Sequence, residues 1–225
     1  MARRTSDTRH ERRAKAVLAA VYATLGVGVL VVLIIRESFP PIGLWLAFAA
    51  AFAFLDWRSV EVNDRMLMSP TIMVALTAGV AFGRGSAALG VATMAVLGAV
   101  SARDVKKRRI FQPVANFGQM VVTAGGSLLV LEAFLAKATI GSASYWTWIA
   151  IGSAAAAVLY ASINYVLVAF AVRTVFRQNL KVWSHLGELL PSYVAMGFVG
   201  GLLGATITRT EVVLPLVFVV FIIGY

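Results

Sequence analysis

A chain of 225 residues that is 60% hydrophobic and only 13% charged cannot cover a water-facing surface, since soluble domains carry about 25% charged residues. Its formal charge of +10 comes from twenty Lys and Arg against ten Asp and Glu, but no aromatic or Gly-rich nucleic-acid-binding pattern accompanies it, and nucleic acid is excluded as a partner. No cysteine is present, which removes disulfides, thiolate metal sites and cysteine nucleophiles.

A helix crossing a bilayer needs about 20 mostly apolar residues. Residues 1–15 form a basic tail with Arg3, Arg4, Arg9, Arg12, Arg13 and Lys15. Uncharged runs then predict spans at 16–35 and 38–55, the second opening on Pro40 and Pro41, which a helix tolerates in its first turn. No small-residue cleavage site follows the first run at Arg36-Glu37, so this span is read as a retained anchor rather than a secretory signal. Runs 66–83 and 85–102 are Gly/Ala-rich and separated only by Arg84, the pattern of a tight helical hairpin. The fifth span is 110–131. Residues 138–172 carry no charge over 35 positions, too long for one straight crossing, so 138–144 reads as a loop. The sixth span, 145–172, then begins at Tyr145-Trp146-Thr147-Trp148, aromatic residues suited to the membrane–water boundary. A seventh lies at 189–208. The last run, 212–225, has 14 residues and no polar flank and is expected to be cut short. The expected fold is an all-α polytopic transmembrane helical bundle, one domain over 16–225, with about eight crossings and six or seven as the alternatives.

Basic residues sort unevenly between the two sets of loops. Sixteen fall in the tail, in the 2–3 loop (Arg58, Arg65), in the 4–5 loop (Arg103, Lys106, Lys107, Arg108, Arg109) and in the 6–7 segment (Arg173, Arg177, Lys181). Four fall on the other side: Arg36, Arg84, Lys137 and Arg209. The positive-inside rule puts both termini of this multi-pass protein in the cytoplasm. Its basic clusters then lie against an anionic leaflet, each side chain contributing roughly 1 kcal/mol.

No phosphate-binding Gly-rich loop, His-Glu-x-x-His helix or Gly-x-Ser-x-Gly elbow occurs. His10 and His185 are far apart in the chain, and Asp56, Arg58, Glu61, Asp64 and Arg65 read as a solvated mixed-charge loop. No catalytic residue, metal or cofactor is expected. The informative groups are amides inside the spans, because a polar group in hydrocarbon must face a helix or a cavity. Asn116 and Gln119 share a face of the fifth span, Asn164 precedes Tyr165 on the sixth, and Ser192 and Tyr193 follow Pro191 on the seventh. Asn116, Gln119, Asn164 and Tyr193 are the candidate ligand-binding or interhelical contacts. Glu132 is a weaker candidate that reaches the interface. Gly197-x-x-x-Gly201 and Gly200-x-x-x-Gly204 on the seventh span, and Ala16-x-x-x-Ala20 and Ala19-x-x-x-Ala23 on the first, permit close helix approach. No internal repeat is evident.

Several short motifs occur in a telling order. They are Val60-Glu61-Val62, Leu67-Met68-Ser69-Pro70, the Gly83-Arg84-Gly85-Ser86-Ala87 turn and Arg108-Arg109-Ile110-Phe111 leading to Asn116-x-x-Gln119. Asn164-Tyr165, Trp183 and Leu189-Leu190-Pro191-Ser192-Tyr193 before a Gly-rich helix complete the series. Together they resemble the N-terminal multi-helix membrane domain of bacterial signalling proteins that carry HD-type phosphohydrolase or diguanylate cyclase domains, a group similar to the S subunits of energy-coupling-factor transporters. The resemblance implies an integral membrane sensor or anchor domain in a bacterial inner membrane. Its partners would be the lipid bilayer, a small-molecule ligand and a cytoplasmic output domain, with a homodimer also open. The alternative it implies is the substrate-binding S subunit of a vitamin or metabolite transporter, whose partner subunit docks on the Ala-rich face of the first helix. The chain departs from the signalling pattern in having no His-Asp dinucleotide and no Gly-Gly-Asp/Glu-Glu-Phe sequence before Tyr225, so no enzymatic output is assigned to it.

Overall fold

Hydrocarbon offers no water to the backbone, so an apolar chain satisfies its N–H and C=O groups internally by forming helices. The computed structural model describes residues 2–57, 60–63, 66–68, 71–100, 110–177 and 182–210. In chain order these form α1 (Ala2–Arg36), α2 (Ile42–Trp57), β1 (Val60–Asn63), β2 (Met66–Met68), α3 (Thr71–Phe82), α4 (Ala87–Gly98), α5 (Phe111–Leu135), α6 (Tyr145–Phe176) and α7 (Val182–Thr210). The two strands pair antiparallel, Val60 with Met68 and Glu61 with Leu67, with an irregularity before Asn63.

Among the described residues, four helices are long and apolar enough to cross a membrane: Glu11–Arg36, Phe111–Leu135, Tyr145–Val175 and Leu186–Arg209. The expected count of about eight crossings is therefore not supported. At 1.5 Å per residue, the 16 residues of α2 and the 12 each of α3 and α4 extend about 24 and 18 Å, short of a hydrocarbon core of roughly 30 Å. The 66–83 run divides into strand and helix, since Met66–Met68 belongs to β2. Within the 85–102 run α4 ends at Gly98, and 101–102 lie outside the described residues. The run 212–225 lies outside the described residues. Hydropathy misled the count because α3 and α4 are apolar for another reason. Every residue from Thr71 to Val80 is buried against protein, so apolarity there records a core position.

The long helices enclose this core. α5 lies against α1, α4 and α6, while α7 lies against α6 and α3. The two Gly rows of α7 have separate uses. A Cβ on Gly200 or Gly204 would meet the carbonyl oxygens of Met73 and Thr77 on α3, at 2.5 and 2.6 Å; Gly197 and Gly201 face Ala157 and Ser153 on α6. At the α1–α5 crossing Gly118 packs directly on the Tyr22 carbonyl, with Gly26 opposite. The Tyr22 hydroxyl donates to the Leu167 carbonyl at 2.6 Å and ties α1 to α6.

α6 begins at Tyr145, as the aromatic cluster predicts, and its 32 residues extend about 48 Å. α7 begins at Val182, seven residues before the expected start, and carries Pro191 inside it. The proline removes only the one hydrogen bond to the Gly187 carbonyl.

Hydrogen bonds gather the α1–α2, α3–α4 and α5–α6 connections and the end of α7 at one end of the bundle. The Ser38 amide donates to the Gly85 carbonyl at 2.9 Å, Gly85 donates to Glu132, and Tyr145 bonds Thr208. Arg36, Arg84, Lys137 and Arg209, the four basic residues separated by loop in the sequence, all belong to this end.

Candidate functional site

Each amide within an apolar span has donors and acceptors that lipid cannot satisfy, so it seeks a partner on a neighbouring helix. Gln119 on α5 and Asn164 on α6 do this with each other: Gln119 Nε2 donates to Asn164 Oδ1 at 2.7 Å. Both are half-buried. Asn116, one turn before Gln119 and also half-buried, makes no hydrogen bond to either amide among the described residues. Tyr193 on α7 is 7% exposed and belongs to the main hydrophobic core, against which Tyr165 packs. Two of the four candidate residues thus meet in a bond, while Asn116 adjoins it and Tyr193 serves the α7 packing. Ser192 faces outward. Such an interhelical polar bond contributes about 0.6 kcal/mol on average in membrane proteins, small enough for a ligand offering its own amide or hydroxyl to exchange with it.

A second polar centre lies at the start of α4. The first backbone N–H groups of a helix lack internal partners, and Ser86 at the N-cap supplies no side-chain bond. Two carboxylates from distant segments take this role. Glu132 Oε1, on the last turns of α5, accepts from Gly85, Ala87 and Ala88 at 3.1, 2.9 and 3.3 Å. Glu37 Oε2, just after α1, accepts from Leu89 at 2.7 Å. The next amide, Gly90, closes the first helical bond to the Ser86 carbonyl. The turn that presents these amides has Gly83 and Gly85 at φ of 78° and 79°, where a side chain would be strained. Negative charge also suits the positive end of the α4 dipole.

Glu37 Oε1 is buried with no hydrogen-bond partner among the described residues. Burial pushes the Glu37 carboxyl above its ordinary range; the Leu89 amide pulls it back down, and the Glu132 charge pushes it up again. The sequence ranked Glu132 low and passed over Glu37. The available signal was arithmetic: these are two of only ten acidic residues, and they border a Gly/Ala helix whose start carries no acid of its own.

Among the described residues there is also an open recess of about 230 Å³ between the end of α4 and the start of α5, lined by Val96, Ala99, Val100, Pro113, Val114 and Phe117. It offers no polar group to orient a ligand. Among the described residues, no three His, Asp or Glu side chains gather closely enough to hold a metal ion. Comparison of the chain with protein families, with curated proteins and with solved structures finds no match.

Proposed function

We propose that this chain is an integral membrane sensor or anchor domain that serves a cytoplasmic nucleotide-signalling output in the inner membrane of a bacterium. The observation that supports the reading best is the Gln119–Asn164 bond, a polar contact between two long apolar helices. A small ligand with matching hydrogen-bond groups binds by exchanging with that bond, and Asn116 stands one turn away as a further contact. To signal, the ligand must bind one packing of α5 on α6 more tightly than another, because only differential affinity shifts a conformational equilibrium. α6 is the element suited to carry the shift, since its length exceeds a bilayer crossing and its far end leads back to the basic side of the chain.

This function requires a cytoplasmic C-terminus, and because α7 ends beside Arg209 on the side opposite the basic tail, it requires the run 212–225 to return the chain across the membrane. Green fluorescent protein and alkaline phosphatase, fused in turn after Tyr225, report the two sides of the membrane. Fluorescence without phosphatase activity is expected; phosphatase activity without fluorescence overturns the proposal.

A further inference from the structure

All four long spans have an end at the same side of the bundle, Glu11–Arg36 on Arg36 and the other three around the start of α6. Phe111–Leu135 ends two residues before Lys137, Tyr145–Val175 begins at Tyr145, and Leu186–Arg209 finishes on Arg209. Apolar length runs out here on three helices together, which sets this group at the depth where hydrocarbon gives way to headgroups.

Two of the four cations at this end, Lys137 and Arg209, rest on aromatic rings. Lys137 Nζ lies 4.9 Å from the Trp148 ring centre and 5.9 Å from that of Phe134. Arg209 Cζ lies 5.0 Å from the Tyr145 ring centre and 5.2 Å from that of Trp146. The Tyr145 ring is itself fixed. Thr208 donates its hydroxyl hydrogen to the Ala205 carbonyl at 2.8 Å, so the Tyr145 hydroxyl donates to Thr208 Oγ1 at 2.9 Å. Neither Lys137 nor Arg209 pairs with a carboxylate among the described residues, where the ion pair found is Lys15 with Glu11. A ring face attracts a cation but occupies few of its N–H donors. The ammonium and the guanidinium are therefore held in position with donors left for an anion. Trp146 and Trp148, two residues apart on a helix, project to opposite sides of α6.

We propose that Lys137 and Arg209 bind the phosphate headgroups of anionic phospholipids, one on each side of the start of α6. On the Lys137 side a lipid suits the site better than a soluble phosphate, because exposed Ile151 and Val158 lie deeper along α6 on the Trp148 side and receive its acyl chains.

Titration of the detergent-solubilised full chain with phosphatidylglycerol, phosphatidylcholine or soluble glycerol phosphate, read by native mass spectrometry, tests the assignment. Phosphatidylglycerol is expected to bind more tightly than phosphatidylcholine, and Lys137→Gln and Arg209→Gln each weaken it about fivefold. Lys137→Arg and Arg209→Lys retain binding, which separates loss of charge from loss of fold. Arg84→Gln, at the same end but with no ring contact found, leaves the affinity unchanged. Equal affinity for the two lipids, an Arg84→Gln loss as large as that of Arg209→Gln, or glycerol phosphate displacing the lipid overturns the proposal.

Discussion

Glu132 holds the α3–α4 turn to α5 through one carboxylate oxygen that accepts three amides. Hydrogen bonds to a charged acceptor contribute about 1.5–3 kcal/mol, and a buried amide left unpaired costs a similar amount. Glu132→Ala is accordingly expected to destabilise the chain by about 2 kcal/mol, seen as a lower melting temperature in detergent, with Glu132→Gln closer to wild type because its amide oxygen still accepts. Equal losses in the two variants would show that the negative charge, rather than the accepting oxygen, carries the effect. Glu37 adds a pH dependence. Its carboxyl is raised in the folded chain, so the folded state keeps a proton that the unfolded state has already released. The stability linked to it is full below the usual glutamate range and is lost as pH rises through the raised value. The melting temperature should fall over that interval, and Glu37→Gln should flatten the fall; parallel curves for the two proteins would contradict the assignment. These carboxylates were hard to read in the sequence because their partners are backbone amides 44 to 52 positions away, which no local spacing marks. Gln119 and Asn164 were easier, since an amide in an apolar run announces its need for a partner.

At the scale of the element, small residues matter according to the side of the helix they occupy. Gly118 and Gly28 illustrate the difference. A Cβ on Gly118 would run into the backbone of α1, whereas one on Gly28 meets nothing within 4 Å. Gly118→Ala is expected to cost about 1–3 kcal/mol through forced separation of α1 and α5, and Gly28→Ala to be neutral or slightly stabilising. Limited proteolysis and thermal melts of the two variants would read this, and similar losses in both would remove the backbone contact as the cause. The Gly rows of α7 were visible as spacing, but such matches are common in a chain so rich in Ala and Gly. Their division between α3 and α6 depends on tertiary neighbours. The start of α6 was legible because aromatic residues concentrate where a span meets water. The start of α7 was not: the uncharged run begins only after Glu188, yet the helix starts at Val182 and continues through Pro191, absorbing one missing bond.

For the whole molecule, composition established the membrane class and left the count of crossings open to error. A hydropathy run reports that a segment avoids water without distinguishing lipid from protein. α1, with Val17, Val21, Leu25, Val31 and Ile35 exposed, avoids it against lipid, and α3 avoids it against protein. The charges were a better guide to arrangement than to number, since the four basic residues set apart by loop meet at one end of the folded chain. The central claim is a membrane domain with that end outside and the basic N-terminal tail in the cytoplasm. A chain without cysteine allows this to be measured directly with Ala143→Cys, in the connection before α6, and Ser6→Cys, in the tail. With a membrane-impermeant maleimide, intact cells should label the cysteine at 143 and spare the one at 6 until they are lysed. Labelling at 6 with protection at 143 would contradict the account.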